Sequence, residues 1–92
     1  MNEIQKLREQ IDAIDNQIKQ LLLKRFSVAT QIGEHKKAQN VAVCDLNREQ
    51  AVIDAATKDL SGKQRECVEE VYRAIIKNSK KLKNNAKNKT LT

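Results

Sequence analysis

Apolar residues recur through the first third of the chain with spacings of three and four. This repeat is typical of a helix that packs lengthwise against other helices. It predicts a first helix from about Glu3 to Ala38, which at about 1.5 Å per residue would be roughly 50 Å long. We call this set the apolar seam, and its members are Ile4, Leu7, Ile11, Ile14, Ile18, Leu21, Val28 and Ile32.

The predicted first helix is longer than a compact chain of this size should be. A folded chain of 92 residues is expected to be only about 30 Å across. One protomer therefore cannot cover the apolar seam by itself. We expect a homodimer in which two long helices pack along each other.

Two shorter helices should follow. Residues 39–45 break the apolar repeat, and Asp45 can cap the next helix. That second helix is predicted at about residues 46–59, and a third at about 63–84 after the Ser-Gly pair that precedes it. Proline is absent and only two glycines are present, which also favours helix. The predicted fold is all-α, with three helices per chain, one very long, in an intertwined helical homodimer.

The same pattern predicts one domain over residues 1–84, followed by a polar, disordered tail at 85–92. No apolar run approaches the roughly 20 residues of a membrane span. Without an apolar N-terminal run typical of export, we expect a cytoplasmic protein with reduced thiols. Two cysteines and one histidine argue against a structural zinc site.

The net charge of +6 favours an anionic partner: nucleic acid, a membrane surface or a small acidic metabolite. Nucleic-acid modules usually interleave aromatic residues with basic ones. This chain has only one tyrosine and one phenylalanine, so we do not expect nucleic acid as a partner. We expect no membrane partner either. The binding of a small acidic metabolite then depends on where the cations lie.

One cation interrupts the apolar seam. Seven residues after Ile18 comes Arg25, and seven more reach Ile32. A buried, unpaired charge is costly, so Arg25 either reaches solvent, pairs with a carboxylate, or binds an anion within the bundle. Lys36, eleven residues later, shares its face, which suggests a dicarboxylate or phosphate ligand. Arg8 lies about 25 Å from Arg25 along the helix, but an antiparallel dimer would bring it near the partner's site.

Polar candidates also lie on the two later helices. Asp45, Arg48 and Glu49 cluster at the start of the second helix. Capping and the helix dipole explain the two acids, whereas Arg48 needs another reason. Ser79 and Lys83 are one turn apart on the third helix. An ordinary solvated helix surface is the alternative interpretation for this pair.

An ordered set of short strings resembles the all-helical class of chorismate mutase, the type II family. The set covers about residues 3–83, and its specificity comes from the order, since each piece alone is weak. The resemblance implies a cofactor-free and metal-free isomerase that converts chorismate to prephenate in phenylalanine and tyrosine biosynthesis, with active sites shared across a homodimer. The matching strings are residues 7–15, Arg25, Ile32-Gly33, Lys36, residues 45–49 and residues 75–79.

The resemblance implies which residues bind the two substrate carboxylates. Arg8 from the partner chain and Arg25 would each bind one of them. Ser79 would donate a hydrogen bond to a carboxylate, and Arg48 would help to hold the ionic network.

It also implies which residues act on the breaking ether bond and on the ring hydroxyl. Lys36 would contact a carboxylate and the ether oxygen. Lys83 stands where the family usually has glutamine, sometimes glutamate, and would donate to the same oxygen. Glu49, with the backbone near Asp45, would bind the ring hydroxyl. The implied catalytic group is Lys36, Lys83, Arg25 and Glu49.

Two other functions stay open from the sequence. One is an isochorismate pyruvate-lyase on the same scaffold, whose site uses the same kinds of residues. The other is a basic helical binding module without catalysis, which would leave Arg25 on the seam unexplained.

Overall fold

The structure, a computed structural model, describes residues 2–42 and 44–89, and the side chains as far as Lys83. These residues form three helices and no strand, which confirms the predicted all-α fold class. No helix among them is long and apolar enough to cross a membrane. The helices are α1 (Glu3–Ala38), α2 (Leu46–Thr57) and α3 (Gly62–Lys89). The dimeric assembly stays a prediction.

Side-chain caps fix where the first two helices begin. The Asn2 side chain accepts a hydrogen bond from the backbone N–H of Gln5 at 2.8 Å. Asp45 accepts from the backbone N–H of Arg48 at 3.1 Å, so its predicted capping role is confirmed. Each cap satisfies a donor that has no partner within its helix. α1 is followed by Asn40 in the left-handed region, with φ 61°, which asparagine tolerates better than most residues.

The structure corrects two predicted helix ends. α2 ends at Thr57 rather than at residue 59, and the backbone N–H of Leu60 turns back to the Thr57 carbonyl at 2.9 Å. α3 begins at Gly62, whose φ of +60° suits glycine, and it continues to Lys89. No proline or glycine interrupts the extra turn beyond residue 84. The division between a domain at 1–84 and a disordered tail stays a prediction, and residues 90–92 lie outside the described residues.

α3 packs against both α1 and α2, so the three helices form one flat layer. The described chain measures 56 × 32 × 13 Å, and its thickness is close to one helix diameter. A single layer buries few side chains completely. The apolar side chains buried in the described part of the chain are Ile53 and Ile76, at 3% and 9% exposure.

The apolar seam of α1 lies open along its whole length. Its eight side chains are between 47% and 64% exposed. Contiguous apolar surface of this kind marks an interaction site. The single chain therefore leaves uncovered the surface that its sequence pattern marks for packing.

α1 and α3 approach each other closely at Gly33, which is buried. A Cβ atom added at Gly33 would lie 3.2 Å from Cγ and 3.5 Å from Cβ of Lys83. Glycine within a helix costs about 1 kcal/mol relative to alanine. The close approach of the Lys83 side chain supplies a packing reason for glycine here.

Candidate active site

A cavity of ≈ 240 Å³ lies where α1, α2 and α3 meet. Its apolar wall includes Val28, Ile32, Val52 and Ile76. This volume is below the roughly 300–1,000 Å³ of pockets for drug-sized ligands, so it suits a small metabolite. The polar lining consists of four cations, one carboxylate and one hydroxyl: Arg25, Arg48, Lys80, Lys83, Glu49 and Ser79. With these groups ionised, the lining carries a net charge of +3, counted over the same cavity residues.

Arg25 is half-buried, and its guanidinium reaches across from α1 to α3. Its Nη1 donates to Oγ of Ser79 at 3.0 Å. Ser79, itself 4% exposed, donates its own hydroxyl hydrogen to the carbonyl of Ile75 at 2.8 Å. Within the described side chains no carboxylate lies within 4.0 Å of this guanidinium. Within the described part of this chain Arg25 therefore does not pair with a neighbouring acid, and only one of its five N–H donors bonds to Ser79.

Glu49 is the carboxylate of this cavity, and both its oxygens have donors. Oε1 accepts from Nζ of Lys80 at 2.9 Å, and Oε2 accepts from Sγ of Cys44 at 3.4 Å. Desolvation raises the pKa of Glu49, but the hydrogen bonds from Lys80 and Cys44 and the charges of Lys80 and Lys83 outweigh it and lower the pKa below its usual value. Glu49 is consequently a hydrogen-bond acceptor at neutral pH.

Sequence reasoning missed Lys80. It follows Ile76 by four residues and precedes Lys83 by three, so it belongs to the same helix face. This spacing could have placed Lys80 on the cavity face of α3, although it does not reveal the contact with Glu49 on another helix. The hydrogen bond to Glu49 raises the pKa of Lys80, so the two groups hold each other in the charged form.

Lys36 and Asp45 lie together, but in a neighbouring cavity of ≈ 480 Å³ beside the connection between α1 and α2. Arg25 and Lys36 therefore line different cavities of the single chain, and the prediction that Lys36 acts at the same site stays a prediction. Eleven residues are three full turns and about 16 Å along the axis, so a common face does not give a common cavity. Cys44 lines this second cavity and bonds to Glu49 of the first, so the two cavities adjoin.

Arg8 is exposed near the start of α1 and does not line either cavity. Its expected contribution to the partner's site stays a prediction. In the part of the chain that the structure describes, no group of three or more His, Cys, Asp or Glu side chains could hold a metal ion.

A family model described as chorismate mutase type II matches residues 7–84, which is most of the 92-residue chain. The chain belongs to the type II chorismate mutase family. The match confirms the resemblance found in the sequence. Every side chain that lines the cavity around Arg25 lies within the matched residues.

Two longer relatives carry similar segments. A T-protein of Enterobacter agglomerans is 29% identical over 91 residues, which cover 97% of this chain and 24% of that protein. A bifunctional chorismate mutase/prephenate dehydratase of Aquifex aeolicus is 33% identical over 81 residues, or 83% of this chain and 22% of that protein. The chain thus spans about a quarter of the length of these curated relatives.

Gly33→Ala should separate stability from function. Alanine favours helix by about 1 kcal/mol, which offsets the cost of the contact with Lys83, so we expect a melting temperature within a few degrees of the parent. The new methyl group displaces the Lys83 side chain, so any activity that needs Lys83 should fall. Thermal unfolding and steady-state kinetics measure the two effects. A variant with parental kcat/KM would contradict this assignment of Gly33.

Proposed function

We propose that this protein is a chorismate mutase, which rearranges chorismate to prephenate in the cytoplasmic synthesis of phenylalanine and tyrosine. The observation that carries the proposal is the cavity whose Arg25 guanidinium has no acid partner among the described side chains, in a chain of this family. Chorismate carries two carboxylates, and a small site with a net charge of +3 attracts a dianion. The family match favours this function over the lyase and over a binding module without catalysis.

The reaction is an intramolecular rearrangement, so the protein needs neither a nucleophile nor a cofactor. It has to hold the enolpyruvyl side chain over the ring. It also has to stabilise the negative charge that grows on the ether oxygen, because binding that favours the transition state raises the rate. Arg25 binds one carboxylate, and Arg48 on the facing helix strengthens the positive field around it.

Of the two lysines proposed as donors to the ether oxygen, Lys83 is the one that lines the first cavity. Its stem rests against Gly33, which limits the positions that its ammonium group takes. Lys36 reaches the substrate from the adjoining cavity, and Asp45 contributes its backbone there. Glu49, ionised and already held by two donors, accepts the hydrogen bond of the ring hydroxyl. Ser79 exchanges its bond to the helix backbone for one to a substrate carboxylate.

A second copy of the chain completes the site. The apolar seam is 47–64% exposed, and the layer is only 13 Å thick, so an antiparallel partner helix on the seam buries it. Arg8 of that partner then approaches the region of Arg25. The intertwined homodimer has two such sites, each with residues from both chains.

Turnover of chorismate tests the proposal directly. We expect the purified protein to consume chorismate, measured as loss of its ultraviolet absorbance, and to form prephenate. Arg25→Ala should lower kcat/KM by about 10²–10³-fold, the usual effect of removing one charge-stabilising donor. Lys24→Ala, which removes an exposed cation next to it, is the matched control and should keep parental activity. Formation of salicylate and pyruvate would instead identify the lyase, and an absence of any product would reject both enzymes.

The shared site predicts rescue in mixed dimers. Arg8→Ala and Arg25→Ala should each be inactive as homodimers. When the two are unfolded together and refolded in equal amounts, half of the dimers are mixed, and each mixed dimer has one intact site. About one quarter of the parental activity should then return, because the two sites are related by two-fold symmetry. Sedimentation of an active monomer, or inactive mixed dimers, would contradict the shared site.

Lys83 should tolerate replacement by a neutral donor better than removal. Lys83→Gln keeps a donor for the ether oxygen, so we expect substantial activity. Lys83→Ala should lose about 10²–10³-fold in kcat, as for other single donors to developing charge. Equal activity of Lys83→Ala and the parent would remove Lys83 from the reaction and leave the ether oxygen to Lys36.

A further inference from the structure

The ion pair between Glu49 and Lys80 differs from the other ion pairs on the surface of this chain. It joins α2 to α3, its N–O distance is 2.9 Å, and its side chains are only 23% and 38% exposed. Three other pairs join positions three or four apart on one helix, at 3.6–3.9 Å: Lys6 with Glu3, Lys63 with Glu66, and Arg65 with Glu69. Exposed ion pairs within a helix contribute little to the stability of the fold. A short ion pair between two helices, in contrast, restrains the positions of both side chains.

Glu49 lies between two cavities, each of which contains cations. With Lys80 it lines the cavity of Arg25, and it also lines a third cavity of ≈ 210 Å³ on the other side, together with Arg73 and Lys77. The pair therefore forms the wall between these two cavities. Without Lys80, the carboxylate would be free to turn toward the two cations of the third cavity. Lys80 lines both cavities as well, and its bond to Oε1 holds Glu49 at the wall between them instead of turned toward Arg73 and Lys77.

The hydrogen bonds already made leave room for a ligand. A carboxylate has about four lone-pair sites. Lys80 uses one on Oε1 and Cys44 uses one on Oε2. Each oxygen of Glu49 therefore keeps a free acceptor position for a hydroxyl group that enters the cavity.

We propose that Lys80 is a positioning residue that holds Glu49 as an ionised, oriented acceptor for the ring hydroxyl of the substrate, an inference that rests on the proposed function. Lys80 acts through Glu49 and does not itself touch the reacting atoms. An oriented acceptor favours a substrate with this hydroxyl over an analogue without it, because only the former gains the additional hydrogen bond to Glu49.

The proposal predicts a change in pH dependence. The charged or titratable groups that line the cavities around Glu49 or contact it are Lys80, Lys83, Arg73 and Lys77 on α3, Arg25 on α1, Arg48 on α2 and Cys44 before α2. Desolvation raises the pKa of Glu49, and the bond from Lys80 is the largest influence that lowers it. Removing Lys80 should therefore raise the pKa of Glu49. Since the acceptor form exists above that pKa, the acid limb of kcat/KM should move to higher pH.

Four variants test this role. Lys80→Gln should lower kcat/KM for chorismate by roughly three- to tenfold, the range for one partner of a half-exposed, charge-assisted bond, and shift the acid limb upward. Lys80→Arg keeps a cationic donor and should restore most of the loss. Lys81→Gln, which removes an exposed neighbouring charge, is the control and should match the parent. In a Glu49→Gln background, Lys80→Gln should cost little more, because its effect passes through Glu49.

Several outcomes would overturn the proposal. The proposal fails if Lys80→Gln keeps the kcat/KM and the acid limb of the parent, or if Lys80→Arg recovers none of the lost kcat/KM. It also fails if the effects of Lys80→Gln and Glu49→Gln on kcat/KM are fully additive. Circular dichroism checks that each variant folds. If Lys80→Gln does not fold, the kcat/KM of Lys80→Arg still tests the proposal.

A titration without turnover keeps this inference separate from the proposed function. The ¹³C NMR shift of the Glu49 side-chain carboxyl follows its ionisation in the parent and in Lys80→Gln. A higher titration midpoint in the variant supports the hold of Lys80 on Glu49, and an identical midpoint overturns it. If the parent forms no prephenate, the proposed function fails, while the titration still decides whether Lys80 holds Glu49.

Discussion

Because α3 packs against α1 and α2 at once, it contributes to both the small core and the polar wall of the cavity. Ile76 is buried among these contacts, and Ser79 on the next turn is more buried still. The hydroxyl of Ser79 fits there because it bonds to its own helix and accepts from Arg25. A buried polar group that is fully hydrogen-bonded avoids the cost of desolvation. The close approach at Gly33 then brings Lys83 to the same wall.

This arrangement concentrates positive charge in a chain whose small apolar core contributes little stability to offset the repulsion. Four cations face one carboxylate in the cavity, and like charges in close proximity raise the free energy of the folded state. The dianionic substrate proposed above would relieve that repulsion, so its binding would also stabilise the fold through linkage.

The sequence predicted those features that depend on local spacing. The extent of α1 follows from the apolar seam, and the capping role of Asp45 follows from its position before a helix. Three-dimensional distances were harder to predict. Lys36 shares a helix face with Arg25, yet three turns of helix separate them and place Lys36 in another cavity. Lys80 was missed because its partner Glu49 lies on a different helix, and no periodicity within α3 reveals that contact.

The ion pair between Glu49 and Lys80 also stabilises α2, which is a short helix. A helix of 12 residues is marginal in isolation, and its buried residues, Ile53 and Thr57, lie in its C-terminal half. Its N-terminal turn is held by the Asp45 cap and by the bond from Lys80. The bond from Lys80 therefore docks the start of α2 on α3 as well as restraining the Glu49 side chain. A ligand that bonded to Glu49 in its proposed role as acceptor would add a further contact at that first turn.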